Sequence, residues 1–117
     1  MTRGMDRMES QSVEMRTCIE ICLKCYASCL GMASNHCLKV GGPHVAQEHF
    51  RLMLACAEVC RTHAHLMILG SPHAKHLAPE CAEIATKCAD SCETVGDMDE
   101  CVDACRACAE SCSQMAA

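Results

Sequence analysis

The sequence predicts an all-α protein, an antiparallel up-down-up-down four-helix bundle with a cysteine-lined core. Three observations carry that expectation. Gly and Pro punctuate the chain at Gly41-Gly42-Pro43, Gly70-Ser71-Pro72 and Gly96-Asp97. The segments between them show helical spacing instead of strand-like alternation. The connections are short, which favours antiparallel neighbours. At 117 residues the chain has the size of one compact domain, so a single domain is expected over residues 1–117.

The helices are expected at roughly 6–39, 43–69, 72–95 and 97–115. The second begins with Pro43 in its first turn, where a missing N–H is tolerated. Ser71-Pro72 reads as a cap followed by a first-turn proline for the third. Pro79 is expected to bend that helix or delay its start, because it cannot donate to the backbone ladder. Asp97, with Glu100 three residues on, looks like a capping pair for the fourth.

The first and last helices carry the same pattern. Met15, Cys18, Cys22, Cys25, Cys29 and Met32 are separated by 3, 4, 3, 4 and 3 residues, and Met98, Cys101, Cys105, Cys108, Cys112 and Met115 repeat those steps. A 3-4 alternation keeps side chains on one seam of a helix, the seam that faces a bundle interior. The second helix has a mixed version in His49, Met53, Cys56, Cys60, His63 and Met67. The third is looser, with Leu77, Cys81, Ile84, Cys88 and Cys92. Charged residues such as Glu14, Glu20, Asp103 and Arg106 fall off the seams. The thiols of four helices are therefore expected to converge on one interior column.

Composition makes that column unusual. The chain has no Trp, one Tyr and one Phe, but 9 Met and 14 Cys, so cysteine is about 12% of its residues. A reduced Cys packs as a small apolar residue, and any one of these taken alone reads more readily as packing than as a ligand. Leu or Ile would bury more area at the same positions, so Cys on all four helices has no packing rationale. Disulfides are disfavoured within a helix, where Cβ atoms at i and i+4 lie about 5–6 Å apart against the about 3.5–4.5 Å a disulfide needs. Disulfides between helices would need an oxidising compartment. Met1 to Met15 shows neither the apolar run nor the small-residue cleavage pattern of a signal peptide, and no stretch of the sequence approaches a bilayer span. A cytoplasmic location with reduced thiols is expected. The net charge of −5 with scattered Lys and Arg argues against nucleic acid as a partner.

Thiolates and thioethers together select soft ions, copper(I) foremost. Thiolates that bridge neighbouring ions give a capacity on the order of ten ions per chain. One monovalent ion per thiolate leaves a near-neutral cluster, which a low-dielectric interior tolerates. Zinc is the serious rival, since it takes closed tetrahedral Cys and His sites. The usual paired Cys-x-x-Cys hooks from turns are absent, however: Cys22-x-x-Cys25 and Cys105-x-x-Cys108 lie in mid-helix. An iron–sulfur cluster would draw its cysteines from loops that wrap it. A thiol redox enzyme would need a small asymmetric constellation with a poised nucleophile, whereas these cysteines repeat along continuous seams.

The candidate metal ligands are Cys18, Cys22, Cys25, Cys29, Cys56, Cys60, Cys81, Cys88, Cys92, Cys101, Cys105, Cys108 and Cys112. Cys37, His36, His63, Met15 and Met115 join them. His36 and His63 fall on seams; Cys37 is one step off and is expected at the periphery. His44, His65 and His73 are expected on the solvated surface. Antiparallel packing brings Met8, Met15, His63, Met67, His73, His76 and Met115 toward one end. Met32, His36, His49, Met53 and Met98 gather at the other. Phe50, Leu54, Ala57, Ala64 and Ile68 read as an outer stripe.

The Cys-x-x-x-Cys-x-x-Cys-x-x-x-Cys runs at 18–29 and 101–112, with Cys56-x-x-x-Cys60 and Cys88-x-x-x-Cys92, resemble the bacterial copper storage proteins. The ending Ser111-Cys112-Ser113-Gln114-Met115-Ala116-Ala117 is similar to that of cytosolic members. The resemblance covers nearly the whole chain after about residue 15. It implies multiple copper(I) ions in the bundle interior, a homotetramer and the cytosolic branch; the repeated seams themselves point to a store and not an enzyme, and a copper chaperone or copper-requiring enzyme is expected as protein partner. The resemblance carries the core-ligand role to the thirteen cysteines other than Cys37. The chain departs from cysteine-richer relatives at His49, Met53 and His63 in the second helix and Ile84 in the third.

Overall fold

The structure, a computed structural model, describes residues 12–116. The part of the first helix expected at 6–11, and Met8 with it, lie outside the described residues. Four long helices form the bundle: α1 (Val13–Gly31), α2 (Gln47–Leu69), α3 (Ala74–Val95) and α4 (Asp99–Ala116). Each packs against its two neighbours in the order α1–α2–α3–α4–α1, which closes the ring around one interior. Arg106 on α4 ties the outer seam to α3 through Asp90 and Glu93, each at 2.8 Å.

The helix ends follow local chemistry. Ser12 caps α1, its Oγ accepting from the Met15 N–H at 3.0 Å. The α2–α3 turn is a Schellman motif: Gly70 N–H donates to Met67 and Ser71 N–H to Leu66, with Gly70 left-handed at φ 71°.

Three helix starts differ from the sequence expectation. Pro43 sits in a separate 3₁₀ turn (Gly42–Val45), because Ala46 is extended (ψ 136°) and α2 begins only at Gln47. Ser71 and Pro72 form a turn in which Ser71 Oγ accepts from His73 N–H, and α3 starts at Ala74. Pro79 lies inside α3 without delaying it. At α4 the capping position is Met98, whose carbonyl accepts from Val102 N–H at 2.9 Å, while Asp97 adopts φ 57°.

The first helix does not end at Gly31. It passes through a π-helical turn, Met32–Cys37, and a last short α-helical piece, Leu38–Val40. A π turn adds a residue to the helical repeat and rotates everything after it. The inward positions therefore become Ala33 and Cys37, both fully buried, while Met32 and His36 are only half-buried. Side chains supplement the stretched ladder: Ser34 Oγ donates to the Leu30 carbonyl at 2.6 Å and Asn35 Nδ2 to that of Gly31 at 2.9 Å.

Among the described residues, the buried apolar set consists of Cys, Ala and Met, with no Leu, Ile, Val or Phe. The branched side chains flank this core: Ile19, Leu23, Leu52, Leu66 and Ile84 pack half-buried against it, while Val13, Leu38, Val40, Ile68 and Leu69 are well exposed. Ala57 and Ala64 do not belong to an outer stripe. They are buried, where small side chains let helices approach closely. By length and composition alone α2 is apolar enough to cross a membrane, contrary to the sequence expectation. Its inner face, with His49, Met53, Cys56, Cys60 and His63, packs into the bundle.

Replacing Gly70 with Ala should destabilise the metal-free protein by about 1 kcal/mol, since φ 71° disfavours an L side chain while no atom blocks the added methyl. Denaturant unfolding checks this, and an unchanged midpoint would contradict the Schellman assignment.

Candidate metal centre

All 14 cysteines are buried and unbridged, and twelve of them fall into five overlapping groups along the bundle. At the end where α1 starts and α4 finishes, Cys22 and Cys112 Sγ are 3.5 Å apart, and His63 Nδ1 lies 3.5 Å from each. Cys18 completes this Cys₃His group at 3.9 Å from Cys22. Cys22 and Cys112 also belong to the next group, with Cys81 and Cys108. Cys60 sits 3.6 Å from Cys108 and 3.7 Å from Cys81, and it groups with Cys25 and Cys108. Cys25, Cys29, Cys56 and Cys105 come next, Cys29 and Cys105 being 3.5 Å apart. Cys29 and Cys105 are shared in turn with Cys88 and Cys101.

Within each group the ligand atoms all lie within 4.8 Å of one another. A metal–sulfur bond of about 2.3 Å sets the donors of a three- or four-coordinate ion about 3.8–4.0 Å apart. That spacing is also sulfur–sulfur van der Waals contact, so distance alone does not select a metal. The selection comes from density of donors: six thiols (Cys22, Cys25, Cys29, Cys105, Cys108 and Cys112) each belong to two groups, so the groups overlap into one continuous path.

The thiols titrate as an interacting set. Cys22, Cys25, Cys29, Cys60 and Cys112 are pushed up, chiefly through sulfur contacts with Cys108 (Cys22, Cys60, Cys112), Cys105 (Cys25) and Cys101 (Cys29), with burial adding to each. Cys18, Cys56, Cys105 and Cys108 are pulled down, because neighbouring S–H groups donate to their thiolates. Burial disfavours a charged His63. The thiolates of Cys81, Cys18 and Cys108 outweigh it and raise the imidazole. The interior is thus a shared reservoir of protons that a cation can displace.

Among the candidate ligands, Met15 and Met115 meet His63 and Met67 around a cleft of about 410 Å³ at the Cys18 end of the path. Cys92 is buried beside Cys101 but joins none of the five groups. Cys37, expected at the periphery, is fully buried at the opposite end, in contact with His44, Met53 and Met98. His36, expected on the inner seam, instead faces Asp97, Nε2 to Oδ2 at 3.7 Å. Both corrections follow from the π turn. His44 is also a correction: it is buried, not solvated, because the 3₁₀ turn folds it under the bundle end. His65 and His73 are exposed.

Fold and interior define a helical bundle whose core is built from soft-metal ligands in place of branched hydrocarbon. The family model of the copper storage proteins matches residues 9–117, and the chain belongs to that family. A Nitrosospira multiformis protein of known crystal structure is 48% identical, with a TM-score of 0.87 over 88% of this chain and 94% of that one. The Cu(I)-bound copper storage protein BsCsp3 is 32% identical, with a TM-score of 0.81 over 89% of this chain and 99% of its own. Apo-Csp3 from Bacillus subtilis is also 32% identical, with a TM-score of 0.72 over 87% and 98% of the two chains. No curated protein sequence is significantly similar to the chain.

The raised thiols Cys22, Cys25, Cys29, Cys60 and Cys112 hold protons at neutral pH, so a metal must displace them. Added protons then compete with metal, and apparent Cu(I) affinity should fall between neutral and acidic pH. Chelator competition across that range checks it; a flat profile would rule out thiolate ligation.

Proposed function

We propose that this chain is a cytoplasmic copper store that holds many Cu(I) ions on the thiolates of its interior, and that it is not an enzyme. The observation that supports this most is the overlap of five sulfur-rich groups along the bundle axis. Each ion takes two or three sulfur donors and releases thiol protons to solvent. The shared thiols bridge successive ions, so charge stays balanced along the path. The ligands are the twelve path cysteines with His63 and Cys92 beside Cys101, while Met15 and Met115 act at the mouth beside the cleft. Cys37 belongs to the far end, and His36 stands between it and solvent. The chain acts as a homotetramer, to which exposed Leu38, Val40, Ile68 and Leu69 offer apolar surface. It exchanges copper with a chaperone or a copper-requiring enzyme.

Zinc has support at one place, the Cys18, Cys22, Cys112 and His63 group, a closed Cys₃His set. The four-thiol groups along the rest of the path share their donors, so they cannot all close as separate tetrahedra. A thiol redox activity needs a partly exposed, poised cysteine, and every cysteine here is buried.

Anaerobic titration of reduced protein with Cu(I) against a chromogenic chelator should show binding near one equivalent per cysteine before the chelator captures copper. Saturation at one or two equivalents would overturn storage; a single equivalent of zinc bound more tightly would favour the rival. The Cys25→Ser/Cys108→Ser variant removes two shared thiols and should lose at least two equivalents while keeping its helical content. A scaffold with incidental thiols would lose stability alone.

A further inference from the structure

The end of the bundle where α1 starts and α4 finishes holds a recess far larger than one ion needs. The cleft there, about 410 Å³, is lined by the thioethers of Met15, Met67 and Met115, by His63 and by Lys75. His63 is 1% exposed and forms the inner wall. Its Nδ1 lies 3.5 Å from Cys22 Sγ and 3.5 Å from Cys112 Sγ. The lining contains no carboxylate, although the chain carries 15 Asp and Glu against 10 Lys and Arg. Lys75 is exposed and pairs with no carboxylate among the described residues.

We propose that this cleft docks a small anionic thiol that carries Cu(I), and that the ion passes from the carrier's thiolates to Cys18, Cys22 and Cys112. The proposal rests on the storage reading and names what delivers the ion at this end. Size is the first argument. A water occupies about 30 Å³, so a lone ion would leave the cleft almost empty, whereas its volume is that of a pocket for a whole small molecule. Charge is the second. An ammonium in an acid-free recess, on a protein of net charge −5, favours an anion there over the rest of the surface. Softness is the third: thioethers suit copper already bound to sulfur, and flexible methionines adapt to ligands of varied shape. Access is the fourth. Cys18, Cys22 and Cys112 are fully buried, so an ion on the surface of a protein carrier stays outside this recess, while a small carrier enters it.

The transfer balances in two exchanges for an ion held by two carrier thiolates. In the first, a bond forms between Cys18 sulfur and copper, one carrier sulfur–copper bond breaks, and the Cys18 proton passes to the departing thiolate. In the second, Cys22 or Cys112 replaces the remaining carrier thiolate in the same way. Two carrier thiols leave through the cleft, and copper stays Cu(I) throughout. His63, which shares a group with all three cysteines, stands ready as a further donor.

The test loads the reduced, full-length chain anaerobically from two sources: the anionic Cu(I) complex of glutathione and the cationic Cu(I) complex of acetonitrile. Rapid mixing at low ionic strength, followed by thiolate-to-copper absorption, should give a rate that saturates with the glutathione complex. Lys75→Glu should slow that loading about tenfold below saturation, keep the total capacity, and not slow loading from acetonitrile. Equal rates from glutathione in both proteins would overturn the proposal, as would equal slowing from both sources. Absence of loading from either source would overturn storage and this proposal with it, whereas full loading from both without a Lys75 effect overturns this proposal alone. A second measurement needs no copper. S-methylglutathione, which has no thiol to exchange, should shift the Met15, Met67 and Met115 methyl resonances of methyl-¹³C-methionine protein and leave Met98, at the opposite end, fixed. No shift, or the same shift at every methionine, would overturn the docking site.

Discussion

Everything in this structure depends on sulfur packed against sulfur where other bundles pack hydrocarbon. Helices approach one another when small residues meet, and Ala33, Ala57, Ala64, Ala78, Ala85 and Ala89 provide that approach here. The space that remains is filled by thiols at 3.5–4.0 Å. A thiol buries less apolar area than Leu and is a weak hydrogen-bond partner, so the same interior contributes less to stability than a branched core would. A protein that accepts that loss on every helix keeps the thiols for their chemistry. Metal loading then offsets the loss, because an ion bound only by the folded state stabilises it.

Placement of the thiols is a matter of helical arithmetic. Steps of three and four residues return to the same face, and two helices carry the full run from end to end. Antiparallel order sets the start of α1 beside the finish of α4, so Cys18 and Cys22 meet Cys112 while Cys29 meets Cys101. The result is a continuous path in place of isolated sites. Sharing of Cys22, Cys25, Cys29, Cys105, Cys108 and Cys112 between groups matches a soft monovalent ion, which tolerates bridging thiolates, better than zinc, which closes a tetrahedron.

The bundle, its order and the path cysteines were legible because they rest on this periodicity and on Gly and Pro punctuation. What was not legible arises where backbone geometry departs from 3.6 residues per turn without a sequence signal. Met32–Cys37 contains neither Pro nor an internal Gly, yet it forms a π turn, which exchanges the roles of His36 and Cys37. His44 follows a proline in a loop-like stretch and reads as solvated, but the 3₁₀ turn buries it. Ala57 and Ala64 read as an outer stripe only because alanine suits either side of a helix; burial was decided by which neighbour came close. The starts of α2 and α3 fell later than their prolines because Pro fixes φ at a turn as readily as at a helix start.

The measurement that tests the central claim most directly is anomalous diffraction at the copper edge from crystals of the anaerobically loaded chain. A file of copper peaks along the bundle axis, each within bonding distance of two or three sulfurs and with Cys22, Cys25, Cys29, Cys105, Cys108 and Cys112 touching two peaks apiece, is the predicted result. One or two peaks at the surface or the ends, with the axial thiols free of metal, would contradict it.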